Sequence, residues 1–176
     1  MVLVLIISGY FKHFNHSFDV DGKLQTRNMN YYYYKNVTLP KVISTSFSDD
    51  SDTIAFDLKS VYPIMTLSTL TRTNIYHRTP GLQSVVVQDR VKFSSATTYE
   101  FALPSKNGIW SEQSATSNAL NGKFTVGTTS INVRIQATNP FRYSSVTKTV
   151  LGLTYTRLGV SFMNPILEDT ITVTFN

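Results

Sequence analysis

Cysteine is absent from this chain. Disulfide frameworks, thiol catalysis and thiolate metal sites are therefore excluded. At 176 residues the chain does not need such staples, because a domain of this size buries about two thirds of its unfolded surface. Charge is scarce too. Only 15% of residues are Asp, Glu, Lys or Arg, against roughly 25% in an ordinary domain. Histidine is limited to His13, His16 and His77. His13 and His16 stand at an odd spacing, which puts them on opposite faces of a strand and argues against a metal pair.

Long apolar runs are missing as well. The most apolar stretch, Val2, Leu3, Val4, Leu5, Ile6 and Ile7, is far too short to span a bilayer. It lacks the basic flank of a signal peptide. It reads as a strand apolar on both faces, and such a strand must be covered on both. A neighbouring subunit is one way to cover it, so residues 1–9 are an expected intersubunit strand. The net charge is +5, but the lysines and arginines are scattered. Each phosphate contact requires its own cation, and no basic arm is present, so nucleic-acid binding is not expected.

Ser, Thr, Asn and Tyr stand where charge would otherwise be. Their neutral hydroxyls and amides suit close packing against other protein surfaces. The hydrophobic period is two. Ile131, Val133, Ile135 and Ala137 alternate with Asn132, Arg134, Gln136 and Thr138, and Ile171, Val173 and Phe175 alternate with threonines. Ile54, Phe56 and Leu58 follow the same rule, as do Tyr99, Phe101 and Leu103, and Val85, Val87, Val91 and Phe93. These are half-buried strands. Asp89 falls on an apolar phase, where an unpaired carboxylate would be costly.

Asp21-Gly22, Asn107-Gly108 and Asn121-Gly122 read as hairpin turns with their glycines at positive φ. Pro80-Gly81 fits a type II turn, and Asn139-Pro140 and Asn164-Pro165 mark loops. Between Val146 and Met163 the apolar phase changes twice, which requires two strands or one bent strand. Residues 111–120 read as a short helix or loop, and residues 44–53 as the most loop-like stretch. The expected fold is one all-β domain over residues 1–176. It is an antiparallel sandwich, jelly-roll-like or Ig-like, with little helix.

Catalytic motifs are missing. There is no nucleophile elbow, no phosphate-cradling glycine loop and no His-Glu-x-x-His. Asp19, Asp21 and Gly22 open like a calcium loop, but Lys23 and Asn30 occupy ligand positions. The acidic group Asp49, Asp50 and Asp52 offers only loosely spaced oxygens. No catalytic residue, metal ligand or cofactor is therefore assigned. The sequons at Asn15 and Asn36 are short patterns of the kind that arise by chance. The residues expected to bind something are aromatic. Tyr31, Tyr32, Tyr33 and Tyr34 form a run, and Trp110 follows the Asn107-Gly108 turn. Exposed aromatics bury large areas at low entropy cost and also form platforms for sugars.

The general character resembles small β-sandwich subunits of virus or phage particles. The leading expectation is therefore a non-enzymatic structural subunit, such as a capsid, minor capsid, decoration or tail protein. It would form homo-oligomers or pack against other virion components. The alternative is an extracellular adhesive or carbohydrate-binding β-sandwich, including a filament subunit, that takes glycans through Trp110 or the tyrosine run.

Overall fold

The computed structural model describes residues 19–20, 23–24, 40–62, 64–81, 83–150 and 153–176. The apolar stretch from Val2 to Ile7, the tyrosines from Tyr31 to Tyr34, His13, His16 and the Asp21-Gly22 pair lie outside the described residues.

Thirteen strands are described. They are β1 (Asp19–Val20), β2 (Lys23–Leu24), β3 (Lys41–Phe47), β4 (Ser51–Asp57), β5 (Leu67–His77), β6 (Ser84–Thr97), β7 (Glu100–Lys106), β8 (Ile109–Ala115), β9 (Ala119–Val126), β10 (Thr129–Gln136), β11 (Phe141–Val150), β12 (Leu153–Phe162) and β13 (Ile166–Phe175). A single 3-10 turn, Lys59–Val61, is the only helical element among the described residues. All pairing is antiparallel. An eight-stranded sheet runs β3-β4-β5-β6-β13-β10-β9-β8, a three-stranded sheet runs β11-β12-β7, and β1 pairs with β2. The expected all-β sandwich is what the chain forms.

Alternation builds the core between the two larger sheets. Val85, Val87, Val91 and Phe93 of β6 are buried, while Gln88, Arg90 and Lys92 between them are exposed. Ile171 and Val173 of β13 and Val133 and Ile135 of β10 continue that inner face. Phe101 of β7 and Leu158 and Val160 of β12 close over it from the smaller sheet. Tyr99 stacks on Phe162, with ring centroids 6.1 Å apart. Each such aliphatic or aromatic side chain contributes about 1.5–3 kcal/mol on burial.

The structure also explains Asp89, which is 1% exposed. It faces Arg72 across the β5–β6 ladder. Arg72 Nε donates to Asp89 Oδ1 at 2.7 Å and Nη2 donates to Oδ2 at 2.6 Å. The Arg72 guanidinium lies 5.9 Å from the Phe101 ring centroid. Burial alone would push the guanidinium down, but the Asp89 charge and its hydrogen bonds overcome that and hold Arg72 above its ordinary value. The apolar phase of β6 is thus interrupted by one half of a bidentate ion pair.

The long segment 146–163 is two strands, β11 and β12, paired along their whole length. Pro80-Gly81 forms the expected turn, with Gly81 at φ 82. Four other expectations are corrected. Asn121-Gly122 is not a turn. It lies inside β9, and the hairpin turns instead at Gly127, φ 60. At the Asn107-Gly108 turn the left-handed residue is Asn107 (φ 54), not the glycine. Residues 111–120 are neither helix nor loop but β8, a short turn and the start of β9. β8 is an edge strand exposed from Glu112 to Ala115, so it carries no apolar period to betray it. Residues 44–53 are mostly strand. Ser48 caps the tight β3–β4 hairpin, accepting from Ser51 N–H through its Oγ at 3.0 Å.

Candidate functional site

The site begins where the chain changes sheets. β7 ends in the small sheet at Lys106, and β8 enters the edge of the large sheet at Ile109. Only Asn107 and Gly108 separate them. Asparagine tolerates the left-handed region that this sharp crossing demands. Asn107 N–H donates to the Thr154 carbonyl at 2.8 Å, which ties the tip to β12. Gly108 is needed for space, because a Cβ there would run into the side chain of Ser105.

Trp110 follows on β8, opposite Phe124 of β9. The two rings are 5.1 Å apart at 58°. The indole also lies over Gly122, where an added Cβ would stand 2.5 Å from its Cζ2 and Cη2 atoms and 2.5 Å from the Ser111 carbonyl oxygen. Gly122 therefore supplies room for an aromatic ring rather than a turn. Trp110 is partly buried against the core, and its buried Nε1 donor has no hydrogen-bond partner among the described residues. That arrangement costs about 1–3 kcal/mol.

Facing Trp110 are β11 and β12. Their inward residues at this end are hydroxyls rather than aliphatics. Thr147 Oγ1 and Thr156 Oγ1 are hydrogen-bonded at 3.0 Å, and Thr149 Oγ1 and Thr154 Oγ1 at 3.1 Å. Cross-strand threonine pairs of this kind stabilise a ladder by several tenths of a kcal/mol. Together Asn107, Gly108, Ile109, Trp110, Ser145, Thr147, Thr154 and Thr156 enclose an open pocket of about 340 Å³. Ile109, at 71% exposed, forms an apolar rim. Among the described residues, no acidic or basic side chain lines the pocket. A site of this volume with one aromatic wall and several neutral polar groups suits a small polar organic ligand.

Trp110 is the one expected binding residue that the described residues include, and it lies in this pocket. The sequence reading missed Ser145, Thr147, Thr154 and Thr156. Their signal was present as hydroxyls at every second position in two adjacent strands, which puts them on one face. The acidic group lies far along the chain in the β3–β4 hairpin. There Arg78 pairs with Asp52 and also donates to the Ser48 and Asp49 carbonyls. Other carboxylates are engaged as well. Glu100 pairs with Arg157 and accepts from Ser161 Oγ at 2.9 Å, and Glu168 accepts from Arg90 at 2.7 Å. Asp169 accepts the Thr138 and Asn139 amides at 3.0 and 2.7 Å, anchoring the passage from β10 to β11.

No family model matches the chain, and no curated protein matches its sequence. Solved structures do match. A heparinase III superposes with a TM-score of 0.56 at 15% identity, covering 91% of this chain and 23% of its own. A mutant of the heparan sulfate lyase from Pedobacter heparinus gives 0.55 at 11% identity, covering 98% of this chain and 26% of its own. The likeness is one of fold. This chain spans about a quarter of the length of those proteins. The comparison supports the expected β-sandwich, and it gives no support to a virion, capsid or other particle subunit.

Proposed function

We propose that this chain is a non-catalytic carbohydrate-binding β-sandwich module that holds a saccharide against Trp110. The observation that carries the reading is the pocket itself, with one indole wall facing a bank of threonine and serine hydroxyls and no acid or base among the described lining residues. Sugar rings present apolar C–H faces and polar edges. An indole covers the first, and hydroxyls exchange hydrogen bonds with the second. The fold shared with polysaccharide lyases supports the same direction.

Trp110 is the chain's sole tryptophan, so its fluorescence reports on this pocket alone. Titration with a panel of neutral and acidic oligosaccharides should give a saturable change in emission for at least one of them. Trp110→Ala should abolish binding to that same glycan on a microarray while far-UV circular dichroism stays β-type. If no glycan in the panel binds, or if the bound glycan is held equally well by Trp110→Ala, the reading is wrong.

A further inference from the structure

The pocket's own chemistry names a class of sugar. Resting on the carbohydrate-binding reading, we infer that the pocket takes an uncharged sugar unit, not a sulfate or uronate group. The two solved neighbours are named for heparinase and heparan sulfate lyase activity. The expectation from likeness alone is therefore an acidic saccharide.

The hydroxyl pairs argue against it. A threonine hydroxyl has one donor hydrogen and two acceptor lone pairs. In the Thr147–Thr156 pair one of the two hydrogens is consumed by the 3.0 Å bond between them. The pair is left with a single outward donor and several lone pairs. The Thr149–Thr154 pair, at 3.1 Å, is built the same way. An anionic oxygen accepts only, so it can use the one outward donor of each pair but none of the lone pairs, and no charged side chain among the described lining residues balances it. A sugar hydroxyl both donates and accepts, so it matches either group. Anion sites are built instead from arginine, lysine or convergent N–H groups, and none of the described side chains lining the pocket is cationic.

Six cations among the described residues are spent or turned elsewhere. Arg72, Arg78, Arg90 and Arg157 each pair with a carboxylate. The lysines nearest in sequence, Lys106 and Lys148, each follow a residue on the inner face, Ser105 and Thr147. Strand alternation sends both lysines to the outer face of the small sheet. There they stand in one cross-strand row on either side of Tyr155. None of these six cations therefore makes this pocket an anion site.

The test compares Trp110 fluorescence titrations with cellohexaose, xylohexaose, mannohexaose and N-acetylchitohexaose against heparan sulfate and oligogalacturonate, at about 50 mM and about 200 mM salt. A charge-driven complex weakens steeply over that range, and a neutral one does not. A neutral oligosaccharide should saturate the signal, with Kd unchanged within about twofold between the two salts. Thr147→Val should weaken it about three- to tenfold, the effect of one lost hydrogen bond. Lys148→Ala should leave it within twofold. If only the acidic glycans bind, or if salt and Lys148→Ala weaken binding together, the inference fails and the carbohydrate-binding reading survives. If none of the six binds, both fail.

Discussion

Gly122→Ala puts the central packing claim at risk. In a strand interior, alanine is ordinarily better than glycine by about 0.5–1 kcal/mol. Here the new methyl would stand 2.5 Å from two carbons of the Trp110 ring and 2.5 Å from the Ser111 carbonyl oxygen. The oxygen belongs to the β8–β9 ladder and cannot move without loosening the sheet edge. The indole cannot simply swing away, because Phe124 lies against it. Overpacking of this kind costs about 1–3 kcal/mol, so the net effect should be a loss of about 0.5–2 kcal/mol. Differential scanning fluorimetry would show this as a Tm lowered by about 2–4 °C for each kcal/mol. Tryptophan emission should shift to the red as the ring is lifted off β9. Gly122→Asn separates this account from a turn. Asparagine tolerates a left-handed turn position, so a turn would accept it better than alanine. A strand pressed under an indole would accept it worse. If alanine stabilises the protein, or asparagine outperforms alanine, Gly122 is not a seat for Trp110.

Two other predictions address the buried polar groups. Asp89→Asn leaves the Arg72 charge at 19% side-chain exposure without its counter-ion, so urea unfolding should show a loss of about 3–5 kcal/mol. Arg72→Met with Asp89→Leu should recover most of that loss, and a double variant no better than the single would refute the ion-pair account. Burial first, and the Asp89 charge second, push the Tyr99 phenol well above its ordinary value. A raised folded value means that the stabilising difference is fully present below about pH 10 and is lost as pH rises beyond it, because the unfolded tyrosine ionises first. Denaturant midpoints should therefore fall above about pH 10. Tyr99→Phe should flatten that fall, and an unchanged alkaline limb would contradict the argument.

How much of this was legible beforehand differs by element. β10 and β13 have one face in the core and one in solvent, so Val133, Ile135, Ile171 and Val173 announce them by alternation. The β11–β12 hairpin was legible from the phase changes alone. β8 and β3 were not. Both are edge strands, and exposed edges carry no apolar period. Asn121-Gly122 misled because the same dipeptide serves a turn or a close approach, and only the neighbour across the ladder distinguishes the two. The wealth of hydroxyls was read as a surface for packing against other subunits. In the fold, Thr147, Thr154 and Thr156 turn toward a pocket beside Trp110.

The sequence by itself determined the class of fold, because alternation at period two and the absence of long amphipathic stretches leave an antiparallel sheet protein as the consistent solution. It also determined that no thiol chemistry is available and that no catalytic motif is written locally. Tertiary structure alone decided which polar residues meet. Arg72 and Asp89 are 17 residues apart and become a bidentate pair through strand register. Trp110 and Thr147 share a pocket because a two-residue turn carries β7 into β8 from one sheet to the other. Alternation is a property of each strand taken alone, and it survives in the sequence. Register between strands, and the facing of one sheet on another, depend on residues far apart in the chain, and no local pattern encodes them.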